Sequence, residues 1–136
     1  MGKALGIDYG TKRTGIAITD AMQIIASGLT TVATHSLDDF IADIVLKENI
    51  DCFVVGDPKN LDGTDTDSTG HVNGFVKRLQ KLHPTTLVHQ IDERFTSKIA
   101  KQSILASGIK KKERENKALV DKVSATIILQ NYLDYK

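Results

Sequence analysis

Residues 4–19 read Ala-Leu-Gly-Ile-Asp-Tyr-Gly-Thr-Lys-Arg-Thr-Gly-Ile-Ala-Ile-Thr. Leu5 and Ile7 alternate with smaller or polar residues in the first half of this stretch, and Ile16 and Ile18 do so in the second half. Alternation with a period of two is typical of strands that bury one face. The stretch therefore predicts a hairpin of two short strands joined by a tight, charged turn.

The turn of this hairpin carries the first candidate functional residues. Asp8 stands at the end of the first strand, and the cations Lys12 and Arg13 precede the second strand. Gly10 and Gly15 allow a positive φ or the close approach of another segment. A carboxylate at a strand end is held by the sheet and open to solvent, which suits a metal ligand or a general base. Taken alone, the pattern also fits an ordinary charged hairpin turn.

Composition limits the class of protein. The 136 residues are enough for one domain, spanning residues 1–136, and 40% hydrophobic residues can fill its core. A net charge of +1 excludes a uniformly basic surface, so any attraction to nucleic acid must come from local patches. The single cysteine, Cys52, excludes an internal disulfide and indicates a reducing compartment. The chain shows neither a signal-like segment nor a membrane-length apolar run, so we expect a cytoplasmic protein without a membrane partner.

Beyond the hairpin, strands and helices follow one another. A third strand is expected near residues 24–32, after a turn near Asp20. Ser36 can cap a helix that ends at Asn49, and the apolar residues 50–55 predict an internal parallel strand. The remaining expected elements are a helix over residues 69–82 capped by Asp67 or Ser68, a strand over 85–91, a short helix from 96 or 97 to about 106, and a last helix over 118–133.

This order of elements predicts the architecture of the chain. Three strands in a meander, followed by alternating helices and strands, give a mixed five-stranded sheet with helices on both faces. The order matches the ribonuclease H-like architecture within the α/β class.

Acidic residues fall where such a fold can bring them to one edge of the sheet. Asp8 ends the first strand, Asp92 and Glu93 follow the last strand, and Asp121 lies in the first turn of the last helix. Strand alternation lets only one of Asp92 and Glu93 face the same site. Clustered carboxylates repel one another unless a cation neutralises them, and Mg²⁺ or Mn²⁺ prefers all-oxygen ligands. A site of this type, with two ions possible, hydrolyses phosphodiester bonds. For Asp121, a simple interaction with the helix dipole is the alternative.

Cationic side chains near this edge would bind the phosphates of a substrate. They are Lys12, Arg13, Arg94 and the basic loop of residues 108–117. The same loop also fits a solvated surface turn. The four histidines show no spacing typical of a metal site or a catalytic triad, and neither a Walker loop nor a G-x-G-x-x-G motif is present.

Four motifs resemble, in order and over almost the whole chain, those of the YqgF family of small bacterial ribonuclease H-like proteins. They are Gly6-Ile-Asp-Tyr-Gly-Thr-Lys-Arg-Thr-Gly-Ile-Ala17, Val54-Val-Gly-Asp-Pro58 with Asp62-Gly63, Asp92-Glu-Arg-Phe-Thr-Ser97, and Val120-Asp-Lys-Val-Ser-Ala-Thr-Ile-Ile-Leu129. The family is described as Holliday junction resolvases and as nucleases that mature the 5′ end of pre-16S ribosomal RNA. The resemblance implies a metal-dependent nuclease in ribosome biogenesis or in DNA recombination.

The resemblance also implies a set of site residues. Asp8, Glu93 and Asp121 match the acidic positions of the metal-binding, catalytic triad, with Mg²⁺ or Mn²⁺ as the cofactor. The family pattern has a basic segment before the last helix, and Lys110, Lys111, Lys112, Arg114 and Lys117 match it. Asp57 departs from the pattern, because the family often has an apolar residue before this proline. The implied partners are structured RNA or branched DNA and a ribosome precursor, bound by a monomer or a homodimer.

Two other hypotheses remain open at this point. Residues 8–11 are also similar to the phosphate loop of the actin-like fold, but that fold encloses a nucleotide between two domains and 136 residues supply one. A non-catalytic nucleic-acid-binding module for ribosome assembly is the third hypothesis. Tight metal binding without cleavage of any substrate would favour it.

Overall fold

The computed structural model describes residues 2–58, 69–92 and 117–135. Within these ranges the chain forms five strands, one 3₁₀ turn and three α-helices. The strands are β1 (Lys3–Asp8), β2 (Arg13–Thr19), β3 (Ala26–Ala33), β4 (Ile50–Asp57) and β5 (Leu87–Asp92). The helices are α1 (Leu37–Lys47), preceded by the 3₁₀ turn Thr34–Ser36, α2 (Thr69–Leu82) and α3 (Lys117–Tyr135).

The five strands form one mixed sheet in the order β3-β2-β1-β4-β5. β1 pairs antiparallel with β2, and β2 pairs antiparallel with β3, which is the expected meander. β4 lies parallel to β1, and β5 lies parallel to β4. The carboxyl ends of β1, β4 and β5 therefore meet at one edge of the sheet.

Helices cover both faces of this sheet, as the element order predicts. On one face, strand residues such as Ile7 and Phe53 pack against α1 and α2 in a large buried cluster, here called the α1/α2 core. On the other face, Ala17, Cys52 and Val54 pack against α3 in a smaller cluster, here called the α3 core. The thiol of Cys52 is buried, as expected.

Small residues let α3 pack unusually close to the sheet. A Cβ on Gly6 of β1 would lie 2.8 Å from Cβ of Leu129, and one on Gly28 of β3 would lie 2.9 Å from Cγ of Lys122. At Gly15 of β2 the restriction is greatest, because a Cβ would collide with the backbone carbonyl of Asp121. Close approach, rather than a positive φ, is therefore the reason for glycine at position 15.

Local contacts shift several element boundaries from those expected. β3 begins at Ala26 rather than Ile24, because the Asp20 carboxylate accepts hydrogen bonds from the backbone N–H groups of Met22, Ile24 and Ile25 and holds them in a turn. Ile24 and Ile25 are consequently exposed. These backbone hydrogen bonds also hold the pKa of Asp20 below its usual value.

Other predicted boundaries differ by one or a few residues. Ser36 is the N-cap residue of α1, but its side chain makes no capping bond. β5 begins at Leu87 rather than residue 85, because the backbone N–H of Thr86 donates a hydrogen bond to the carbonyl of His83 in a turn. α3 begins at Lys117, so Asp121 lies just beyond the first helical turn rather than within it.

The α2 prediction of residues 69–82 is confirmed at both ends. Its expected cap at Asp67 or Ser68, the short helix near residues 96–106 and the basic residues 108–116 lie outside the described residues. In the part of the chain that the structure describes, no helix combines the length and apolar character needed to cross a membrane.

The packing of α3 predicts that Gly15→Ala lowers the free energy of unfolding by about 3 kcal/mol, because overpacking against a fixed backbone is costly. Urea unfolding of the purified variant measures this change. Gly74→Ala is the matched control, since a Cβ there meets nothing within 4 Å. In the interior of α2 this control should be stabilising by about 1 kcal/mol. Equal responses of the two variants would contradict the close packing of α3 at Gly15.

Candidate active site at the carboxyl edge of the sheet

Three neighbouring parallel strands each end in an aspartate. Asp8 ends β1, Asp57 ends β4 and Asp92 ends β5. Asp57 and Asp92 are direct partners in the β4–β5 register. The carboxyl edge of the sheet is therefore strongly acidic.

The pleat of the sheet divides these aspartates between its two faces. Ile7 belongs to the α1/α2 core, so the next residue, Asp8, lies on the α3 face. Ile91 packs against the α3 core, so Asp92 lies on the opposite face, which it shares with its partner Asp57. Asp92 therefore does not share a face with Asp8.

Helix α3 brings Asp121 to the face that carries Asp8. Asp8 is the direct register partner of Gly15, and Cα atoms of such antiparallel partners lie about 4.5–5.5 Å apart. The backbone of Asp121 lies directly over Gly15. Asp121, far away in the sequence, thus stands over the β1–β2 pair beside Asp8.

Glu93, the third predicted carboxylate, lies outside the described residues. Among the residues that are described, no three His, Cys, Asp or Glu side chains are grouped closely enough to hold a metal ion. The donor types at positions 8 and 121 nevertheless fit a hard cation, because both supply carboxylate oxygens.

Asp121 forms an ion pair with one of the predicted phosphate-binding residues. Nε of Arg13 donates a hydrogen bond to Oδ2 of Asp121 at 3.0 Å. The two side chains are 38% and 24% exposed, so the pair is partly shielded from water. Arg13 is the first residue of β2, and the pair therefore ties the hairpin turn to α3.

A cleft of about 280 Å³ opens beside this ion pair. The residues around it come from the hairpin turn, from the first turns of α2 and from α3. They are Tyr9, Gly10, Thr11, Lys12, Arg13, His71, Val72 and Asp121. Two of the predicted cations, Lys12 and Arg13, thus share one cleft with a predicted metal ligand, whereas Arg94, Lys110, Lys111, Lys112 and Arg114 lie outside the described residues.

Thr34 holds the hairpin turn that lines the cleft. Thr34 donates from Oγ1 to the carbonyl of Gly10 at 2.6 Å, and its Oγ1 lies 3.0 Å from Oγ1 of Thr14. The backbone N–H of Thr34 donates to the carbonyl of Lys12 at 3.0 Å. The turn that carries the two cations is therefore fixed from both of its ends.

An aromatic stack holds the residue that follows Asp8. The Tyr9 ring stacks on Phe75 with centroids 4.6 Å apart, and the Arg78 guanidinium lies 5.4 Å from the centre of the Phe75 ring. Arg78 in turn binds Asp38 at 2.8 Å. Partial burial alone would lower the pKa of Arg78, but the hydrogen bond and charge of Asp38 raise it above its usual value. Both α1 and α2 thus support the end of β1.

Sequence reasoning missed two of the cleft residues. His71 lines the cleft although its position in the chain shows no functional spacing, and nothing in the hairpin motif marks Tyr9 as a residue of the cleft. The helical periodicity of α2 places Val72 inward, and His71 precedes it in the first turn of the helix. Only the docking of α2 on the sheet shows that this start faces the hairpin turn.

Comparisons with known proteins agree with this architecture. The family model of RuvX, described as a Holliday junction resolvase, matches residues 2–135. A Flavobacterium johnsoniae protein named "Putative pre-16S rRNA nuclease" is 52% identical over 136 residues, covering 100% of this chain and 99% of its own. A Phocaeicola vulgatus protein of the same name is 52% identical, with 100% and 98% covered.

Solved structures show the same fold at low sequence identity. Thermus thermophilus RuvC in complex with a Holliday junction substrate matches with a TM-score of 0.57 and 13% identity, covering 94% of this chain and 92% of its own. A second T. thermophilus RuvC structure matches with a TM-score of 0.55 and 13% identity, covering 97% and 96%. These matches confirm the expected ribonuclease H-like fold.

The family expected from the sequence motifs is confirmed as well, and so is the nuclease class, because the full-length relatives carry that name. The match of the family model over residues 2–135, together with about 50% identity to relatives over the whole chain, shows that the chain belongs to the RuvX, or YqgF, family of nucleases.

Proposed function

We propose that this protein is a metal-dependent nuclease that hydrolyses phosphodiester bonds in structured nucleic acid, and that its substrate is the 5′ end of the 16S ribosomal RNA precursor. The observation that carries the proposal is the position of Asp121 over Gly15, the register partner of Asp8. Asp8 and Asp121 thus start from neighbouring backbone positions on one face, from which both can supply carboxylate oxygens to one cation. The names of the relatives support the choice of RNA.

Asp8, Glu93 and Asp121 would hold the divalent ion or ions. Their oxygen ligands suit Mg²⁺ or Mn²⁺. When bound, such an ion activates water and stabilises the negative charge on the leaving oxygen. Because Asp92 lies on the other face of β5, the alternation of the strand supports Glu93 as the residue on the side of Asp8.

The cations of the chain would position the substrate. Lys12 and Arg13 stand in the cleft beside Asp121, where they can bind phosphates next to the carboxylates. Arg94 and the basic segment Lys110, Lys111, Lys112 and Arg114 would extend this contact along the nucleic acid. Binding through phosphates orients a backbone without reading its bases, so the shape of the substrate would determine where it is cut.

Cleavage of a four-way DNA junction is the second candidate function. The description of the family and the RuvC complex with a junction favour it. A junction has to be cut symmetrically on two strands, so this function would require a homodimer. Trimming of one RNA end would be possible for a monomer, and the substrate cut therefore distinguishes the two functions.

Asp8→Asn should lower the rate of cleavage at least about 1,000-fold while leaving the fold intact, because it removes a metal ligand with little change in shape. The assay uses a labelled 16S precursor fragment and a four-way DNA junction, each with Mg²⁺, Mn²⁺ or chelator. Titration of Mn²⁺ in the absence of substrate should show weaker binding by the variant.

Asp43→Asn is the matched control for this experiment. Asp43 is exposed on α1, where it pairs with Lys47 on the opposite face of the sheet from α3. The Asp43→Asn variant should cleave both substrates like the wild type. Unchanged cleavage by the Asp8 variant would refute the proposed site, whereas metal binding without cleavage of either substrate by the wild type would favour the assembly module.

Replacing Lys110, Lys111 and Lys112 together by Ala should weaken binding of both substrates and reduce their salt dependence. If all three bind phosphates, the slope of log K against log salt should fall by about 2 to 3. Fluorescence anisotropy in chelator measures the slope without cleavage. Joint replacement of the exposed Lys77 and Lys81 on α2 is the control and should leave the slope unchanged. An unaltered slope in the triple variant would mean that the segment is only solvated.

A further inference from the structure

We propose that Arg13 acts on two partners at once: its Nε holds the carboxylate of Asp121 in position, while its two Nη nitrogens bind a phosphate of the substrate. This inference rests on the proposed function. Arg13 would then position a metal ligand as well as contact a phosphate. Its neighbour Lys12 would contact a phosphate only.

The hydrogen-bonding of Arg13 supports the first role. Nε donates to Oδ2 of Asp121 at 3.0 Å, and within the described residues the side chain of Arg13 makes no other hydrogen bond or ion pair. A guanidinium has five N–H donors in a planar fork. One donor is used by the carboxylate, and the four on the Nη nitrogens remain for another ligand.

Both ends of the pair are anchored by the backbone. Arg13 pairs with Ala33 at the start of β2, and the carbonyl of the preceding residue accepts the N–H of Thr34. Asp121 is held by the contact of its own carbonyl with Gly15. Neither side chain has to search for the other, so the carboxylate of Asp121 is oriented before a ligand arrives. Partners of this kind, which orient a ligating carboxylate, strongly affect metal affinity.

The surroundings of Arg13 support the second role. The side chain is 38% exposed and lines the cleft. A planar fork fixed at one nitrogen presents the other two in a defined direction, which suits the bidentate binding of a phosphate. A partly exposed ion pair such as this one contributes little to stability by itself. The Arg13–Asp121 pair is therefore better explained by the way it positions the two side chains than by a contribution to the free energy of folding.

Lys12 provides the comparison that tests this assignment. It lines the same cleft one residue away and is exposed, and no described residue forms an ion pair with it. Its ammonium group can attract a phosphate but has no carboxylate to orient. Lys12 and Arg13 should therefore be similar in phosphate binding and different in their effect on the metal site.

The experiment measures two affinities for the wild type, Lys12→Ala, Arg13→Ala and Arg13→Lys. Titration with Mn²⁺ alone should give about tenfold weaker binding for both Arg13 variants, because neither preserves the fork that orients Asp121, and a change below about twofold for Lys12→Ala. Anisotropy with the labelled 16S precursor fragment in chelator should give a salt slope lower by about 1 for each Ala variant. Arg13→Lys should retain the wild-type slope because it retains the charge.

The outcomes separate this inference from the proposed function. Wild-type Mn²⁺ affinity in Arg13→Ala would overturn the positioning role even if Asp8→Asn abolishes cleavage. Equal losses of Mn²⁺ affinity in Lys12→Ala and Arg13→Ala would overturn it too, because Lys12 has no ion pair with Asp121 and a loss common to both variants would not depend on that pair. An unchanged salt slope in Arg13→Ala would overturn the phosphate contact. Failure of the wild type to bind Mn²⁺ would overturn the proposed function and this inference together.

Discussion

The contact between α3 and the glycines of the sheet is the constraint on which the rest of the site depends. Gly6, Gly15 and Gly28 lie on three neighbouring strands, and at each of them a Cβ would meet α3. Small residues such as Ala17 and Ala125 fill the α3 core between them. Because dispersion contacts weaken steeply with distance, this close packing holds α3 at one distance from the sheet and in one register along it. A bulkier residue at Gly6 or Gly15 would have to move the helix, whereas one at Gly28 would have to displace the side chains of Lys122 and Thr126.

The packing of α3 against the sheet also determines which side chains lie together at the site. With the carbonyl of Asp121 against Gly15, the start of α3 can only lie at the edge where β1 ends. Asp8 and Asp121 then share one face, and the ion pair of Arg13 with Asp121 follows from the same placement. On the other side of the sheet, α1 and α2 hold Tyr9 through Phe75 and Arg78. The cleft thus lies between the hairpin turn, α2 and α3, and each of these elements is held in place by contacts of its own.

Much of the fold follows from the amino-acid pattern, while the contacts of the site do not. Alternating apolar residues predict β1 and β2, and a helical period predicts α2 at residues 69–82. A glycine in a strand, however, does not reveal which segment will lie over it. The Arg13–Asp121 pair and the position of His71 depend on how helices dock, which no local pattern encodes. Asp20 shortened the expected third strand through side-chain bonds to the backbone. The metal-binding and phosphate-binding roles of the site residues, including those of Glu93, Arg94 and the basic segment, remain predictions.

The proposed site requires that Asp8 and Asp121 bind the same cation. The most direct test is anomalous diffraction from crystals of the protein grown with Mn²⁺, which locates the ion without reference to activity. We expect a peak in direct contact with carboxylate oxygens of both Asp8 and Asp121. A peak at only one of these residues, or at Asp57 and Asp92 on the other face, would contradict it.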